Sequence, residues 1–126
     1  RALYNGYVYH SGAEAIYAQE LDLRVKAGDI KSWKRQIPLE LRVYGQKICT
    51  YNMDFELTHN DGTLEFCEIK GMELPLWRIK WKLMEAIWSE EHPEITLTVI
   101  KVTSGYQYKN IKQWKTKQKL LPQKKK

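Results

Sequence analysis

"ICTYNMDFELTHNDGTLEFCEIKG", residues 48–71, carries the most informative local pattern in the chain. Two runs of β character, "ICTYNMDFELT" and "TLEFCEIKG", flank "HNDG". Asn-Asp-Gly between two alternating runs is a strong short-range hairpin signal. With the turn centred near Asp61, residues opposed across the strands have numbers summing to about 122. Asp54 and Glu68 meet that sum, which makes them neighbours with Cβ atoms about 4.5–5.5 Å apart if directly opposed. Lys70, two residues past Glu68, points to the same face. A slip of one residue in register would undo the juxtaposition.

Two opposed carboxylates repel, and without compensation the pair is destabilising. One cation held by both removes that cost. Hard oxygens suit Mg²⁺, with ligand distances of about 2.0–2.1 Å. A bound Mg²⁺ makes water a better nucleophile and neutralises phosphate charge in a transition state. An ammonium on the same face, that of Lys70, orients the water or stabilises the developing charge. These parts fit metal-dependent phosphodiester hydrolysis. The plainer alternative is a surface salt bridge between Lys70 and Glu68, with Asp54 unrelated to either.

Upstream of the hairpin, "HSGAEAIYAQELDLRVKAGDI" reads as a helix. Ser11 is a good N-cap, with Glu14 three residues on as in a capping box. Ala13, Ile16, Tyr17, Leu23 and Ala27 fall near one helical face, and Gly28 is a natural stop. "IKSWKRQIPLELRVY" has β character interrupted by Pro38, which predicts an edge strand or two short pieces; "GQK" at 45–47 reads as a turn. Downstream, "PLWRIKWKLMEAIWSEEHP" predicts a second helix with Pro75 in its first turn. Trp77, Trp81, Met84 and Trp88 lie near one face of it, and Pro93 stops it. "EITLTVIKV" is a last strand, apolar at Ile95, Leu97 and Val99. The order helix, three strands, helix, strand predicts one α/β domain with the second helix crossing back to the sheet.

The chain has 126 residues, 43% of them apolar, with five Trp and eight Tyr, enough for one domain with a real core. No apolar run is long enough to span a membrane, and the start, "RALYNGYVYHS", does not read as a signal peptide. Cys49 and Cys67 have no spacing that suits zinc, and they read as reduced thiols of a cytoplasmic protein. The net charge of +6 is unevenly placed. From Tyr106 on there are eight lysines and no acid; residues 1–105 carry the other 13 Lys and Arg against 15 Asp and Glu, a net −2. A near-neutral body, residues 1–104, followed by a basic tail, 105–126, points to a polyanion, most simply nucleic acid. A solvated tail that only aids solubility fits the charge equally well. "YQYKNIKQWKTKQKLL" within it predicts a short basic helix whose lysines, among them Lys109, Lys112 and Lys115, would grip a DNA backbone.

Asp54, then Glu68-Ile69-Lys70 on a paired strand, with Glu14 on a preceding helix, resembles the PD-(D/E)XK nuclease superfamily. "YHSGAEAIYAQEL" is similar to that family's first motif, "YNMDFEL" to its Asp strand, and "EFCEIKG" to its Glu-x-Lys strand. The likeness runs over about residues 7–102, with Met53 standing where the family often has Pro. Within the superfamily the order resembles small phage endonucleases: the endonuclease I-like Holliday-junction resolvases and an uncharacterised phage endonuclease-like family.

The resemblance implies a restriction-endonuclease-like core, a mixed central sheet with a β-hairpin flanked by helices. It implies Asp54 and Glu68 as metal ligands, the Ile69 carbonyl as a further one, and Glu14 on a second ion. Lys70 would position the water, and Gln36 and Ser11 would line the DNA cleft. It further implies Mg²⁺, with Mn²⁺ substituting, a branched DNA duplex as substrate, a homodimer, and the host cytoplasm if the chain is phage-encoded. The rivals are a transposon-end, packaging or nicking-type nuclease, a non-catalytic nucleic-acid-binding module that keeps the fold, and a structural protein with fortuitous acids.

Overall fold

A computed structural model describes residues 2–9, 12–102 and 111–115. The order of elements is β1 (Ala2–Tyr4), β2 (Tyr7–Tyr9), α1 (Gly12–Lys26), β3 (Ser32–Val43), β4 (Gln46–Thr58), β5 (Leu64–Lys70), α2 (Pro75–Glu91), β6 (Thr96–Val102) and β7 (Ile111–Lys115). Strands β3 to β7 form one sheet in sequence order. All neighbours are antiparallel except β5 and β6, which run parallel. Parallel neighbours need a long connection, and α2 supplies it. The chain is thus a mixed α/β fold with its central hairpin where the sequence places it. No helix among the described residues is long and apolar enough to cross a membrane.

The β4–β5 register is the expected one: Phe55 pairs Cys67 and Glu56 pairs Phe66, each summing to 122. Strand β3 is a single edge strand, with Pro38 inside it opposite Asn52. An edge strand accommodates proline because one side of it needs no ladder donor. The β3–β4 turn falls at Tyr44–Gly45, one residue before the expected position, with both residues at positive φ (50° and 79°) and Val43 paired to Gln46. That is a two-residue type I′ loop, the turn whose twist matches its strands.

Helix α1 ends as Gly28 predicts. With Gly28 at φ 81°, its N–H donates to the Val25 carbonyl while the Asp29 N–H donates to that of Arg24. These two bonds are the Schellman pattern. The buried face of α1 differs in part from expectation. Ala13 and Tyr17 are in the core, but Ala18 and Leu21 complete that face, while Leu23 is 61% exposed and Ala27 is exposed. The face includes Glu14, buried with the apolar residues. The N-cap expected of Ser11 lies outside the described residues.

Two apolar layers enclose the sheet. Ala18, Leu21, Phe55, Leu57, Ile69 and Ile100 form the layer under α1. Leu41, Met53, Phe66, Trp81, Met84 and Val99 form the layer under α2. Trp77 and Trp88 pack against that second layer, so the aromatic face of α2 is core. The tail departs from the expected basic helix. Residues 111–115 are strand β7, paired with β6 from Thr98↔Lys115 to Val102↔Ile111. Part of the region beyond residue 104 therefore belongs to the sheet. A second unforeseen element is the β1–β2 hairpin, turned at Asn5–Gly6 (φ 50° and 83°).

Candidate functional site

The site grows from an irregularity in the β3–β4 ladder. Pairing runs evenly through Arg35↔Phe55 and Ile37↔Met53, yet Gln36 and Asp54 between them are absent from it. Gln36 stands at φ 53°, a left-handed conformation uncommon in residues other than Gly, Asn and Asp. Strict alternation would hold Met53 and Phe55 in one layer. Instead Met53 packs under α2 and Phe55 under α1. Strand β3 changes layer at the same place, with Trp33 under α1 and Ile37, Leu39 and Leu41 under α2. Three consecutive residues, Met53, Asp54 and Phe55, are consequently out of water.

At this gap the β4–β5 ladder stops, its last pair being Phe55↔Cys67. The Ile69 N–H donates to Asp54 Oδ2 at 2.8 Å, so a carboxylate takes the role of a ladder carbonyl. Glu68, beside it on β5, is 5% exposed. Its Oε2 lies 4.0 Å from Lys70 Nζ, and the Tyr51 hydroxyl stands near its carboxylate and favours the charged form. Glu68 Oε1 is buried without a hydrogen-bond partner among the described residues. Tyr51 is held in turn by the Trp77 indole N–H, 2.8 Å from its oxygen. The Lys70 ammonium stands over the Trp77 ring, 4.9 Å from the centroid, a cation–π contact.

Asp54, Glu68, Ile69, Lys70, Glu14 and Gln36 all line one cleft of about 440 Å³. The cleft lies between the β3–β4 hairpin and the start of α2. The structure thus brings together six sequence-predicted site residues. The isolated surface salt bridge does not describe them: the Lys70 and Glu68 side chains are only 23% and 7% exposed, and Asp54 shares their cleft. Ser11 and Lys109 lie outside the described residues, while Lys112 and Lys115 lie on β7. Tyr51 and Trp77 were not foreseen as site residues. Tyr51 sits three residues before Asp54 and Trp77 on another element, so no local pattern links them.

The acids stress one another. Burial first, then the Glu68 and Glu14 carboxylates, hold Asp54 well above the ordinary carboxylate range, against the pull of the Ile69 N–H and Lys70. Burial likewise pushes Glu68 up to about 7, with Glu14 adding to the rise and Lys70 and Tyr51 opposing it. Burial and the Glu68 carboxylate raise Tyr51 far above a normal phenol, so its hydroxyl stays a donor. Among the described residues no three His, Cys, Asp or Glu side chains converge tightly enough to hold a metal on their own. The donor set nonetheless fits a hard divalent cation. It consists of the partnerless Glu68 Oε1 and the second oxygen of Asp54, both hard oxygens, in a cleft with room for water.

The fold and cleft together define a mixed α/β protein with a recessed acid-and-lysine site on a broken hairpin. Residues 1–117 match the family described as "Protein of unknown function (DUF1064)", and the chain belongs to that family. No curated protein and no solved structure matches it.

Proposed function

We infer that this chain is a metal-dependent DNA endonuclease that hydrolyses phosphodiester bonds and favours branched duplexes. One observation carries the reading: Glu14, Asp54 and Glu68, whose charges oppose one another in a recessed cleft, share it with Lys70. Buried like charges are a cost to folding, and a divalent cation is the simplest partner that offsets it. The resemblance to PD-(D/E)XK nucleases supports the same roles on the same residues.

Asp54, Glu68 and the Ile69 carbonyl would hold Mg²⁺ or Mn²⁺, with Glu14 close enough to bias a second ion or its waters. The ion supplies charge neutralisation at the phosphate and a more acidic water. The protein's own groups do the remaining work. Trp77 and Glu68 fix the Lys70 ammonium at the cleft wall, where it orients the attacking water or meets the charge growing on the phosphate. Tyr51 anchors one face of Glu68 and leaves Oε1 for the ion. The Ile69 N–H sets the Asp54 carboxylate against the end of β5.

The test is cleavage of a synthetic four-way junction, a flap and a linear duplex of the same arms, in Mg²⁺, in Mn²⁺ and with EDTA. The expected result is metal-dependent cutting of the branched substrates, abolished by Asp54→Asn. Absence of cutting on every substrate in both metals overturns the enzyme reading and leaves a nucleic-acid-binding module. Equal rates on junction and linear duplex would favour the nicking, packaging or transposon-end alternatives.

A further inference from the structure

Four large apolar side chains stand in water within eight residues, and two of them, Leu74 and Leu76, line the cleft. Met72 is 74% exposed, Leu74 57%, Leu76 66% and Ile79 60%. Scattered surface apolars are ordinary, but a cluster of them marks a contact surface. They are not the core face of α2, which Trp77, Trp81, Met84 and Trp88 supply. Leu76 and Ile79 are three apart and so lie side by side on the helix. Leu74 and Leu76 line the same cleft as the acids, together with Lys70 and Lys80. Whatever covers this lip therefore lies beside the reacting centre.

Charge selects the occupant. From Leu74 to Met84 the chain carries Arg78, Lys80 and Lys82 and no acid. The acid just before this stretch, Glu73, is taken up by Lys101 and Arg78, and the cleft acids Glu14, Asp54 and Glu68 are the groups the divalent ion would neutralise. A second copy of the chain meeting this surface about a two-fold axis would place like against like, bringing those cations together. A polyanion meets them favourably. An intact duplex presents phosphates and sugars outward and hides its base faces, so it gives an apolar lip little to bury. At a branch, flap or fraying end the base faces are open, and aliphatic wedges are a known means of occupying such steps.

Resting on the hydrolase reading above, we propose that Met72, Leu74, Leu76 and Ile79 form an aliphatic wedge that packs against unstacked bases next to the cleft and makes the protein selective for opened DNA. Lys80 holds a flanking phosphate, and the wedge fills the gap between base faces.

The experiment measures binding separately from cutting. The full-length Asp54→Asn protein is titrated against a four-way junction with 2-aminopurine at the branch, against a flap, and against a linear duplex. Leu76→Ser with Ile79→Ser is then added in the same background; both positions are exposed, and thermal melting confirms that the fold is kept. The parent is expected to favour the branched substrates and to change 2-aminopurine fluorescence. The wedge variant is expected to lose about tenfold on branched DNA, the loss of one well-buried aliphatic contact, with linear-duplex affinity unchanged. Equal affinity of the parent for all three substrates overturns the wedge, as does an equal loss on all three in the variant. So does a concentration-dependent dimer that the substitutions abolish, which would make the occupant a second copy. Junction binding with fluorescence change but no cutting by the wild type sinks the hydrolase reading and leaves the wedge standing.

Discussion

Glu68 is the residue on which chemistry and stability meet. Its carboxyl is raised from 4.5 to about 7, chiefly by burial. A carboxyl with a raised folded pKa binds its proton more tightly in the native than in the unfolded state. Its contribution to stability is complete below about pH 4.5 and is lost as pH rises through about 7. At 1.36 kcal/mol per unit, the loss is on the order of 3 kcal/mol. Glu68→Gln should therefore raise the melting temperature of metal-free protein at pH 8 and leave it nearly unchanged at pH 5. Mg²⁺ should stabilise the wild type at pH 8 and not the variant. A variant less stable than wild type at pH 8 without metal would contradict this account. Lys70 makes a separate kinetic prediction. Lys70→Ala should lower the cleavage rate by about 10²–10³, the scale of one lost transition-state donor, while DNA affinity stays within a few-fold. A loss of affinity matching the loss of rate would reassign Lys70 to binding alone.

At the scale of elements, legibility follows sequence distance. The β4–β5 hairpin was readable because its turn, its alternation and its register are all local, and the 122 sum survives in the structure. The aromatic face of α2 was readable for the same reason. The β1–β2 hairpin carries the Asn5–Gly6 signal in local form, but its flanking strands are three residues each, too short to show alternation. Strand β7 reads as helix from its sequence because nothing local marks it as a strand, and only pairing with β6 makes it one. The layer switch at Gln36 and Asp54 is illegible in sequence, since two strands must change layer together to produce it. Backbone geometry makes two predictions here. Tyr44, 101% exposed at φ 50°, packs against nothing that would offset its strained conformation. Tyr44→Asn should stabilise by about 0.5–1 kcal/mol in chemical denaturation, because Asn-Gly is the preferred type I′ pair. At Gln36 a β-branched residue cannot adopt φ 53° cheaply. Gln36→Val should cost about 1–2 kcal/mol and displace Asp54, with cutting falling further than stability alone explains; Gln36→Gly should not. If Gln36→Val cuts normally, the left-handed conformation at Gln36 does not position the acid.

For the whole molecule the question is how a cleft of three acids receives a polyanion. Lys70 and Lys80 at its walls offer local relief, but the body to residue 105 is net −2 while the chain beyond it adds eight lysines. Attraction over distances longer than a contact must then come from the C-terminal stretch, part of which is tied to the sheet through β7. The last described pair of that strand is Thr98↔Lys115, so removing residues 116–126 leaves every described element intact while deleting Lys117, Lys119, Lys124, Lys125 and Lys126. Each phosphate contact contributes about −0.9 to the slope of log affinity against log salt on a duplex. The shortened chain should melt like the full one, bind DNA with a slope shallower by up to about 4–5, and keep its preference for branched over linear substrates, because that preference is assigned to the α2 lip. A slope unchanged by the deletion would show that these five lysines touch no phosphate. Recruitment of DNA would then rest on the divalent ion, the cleft lysines and the remaining Lys109, Lys112 and Lys115, and affinity should weaken with EDTA. A lost branch preference at an unchanged slope would move the selectivity from α2 to the C-terminal residues.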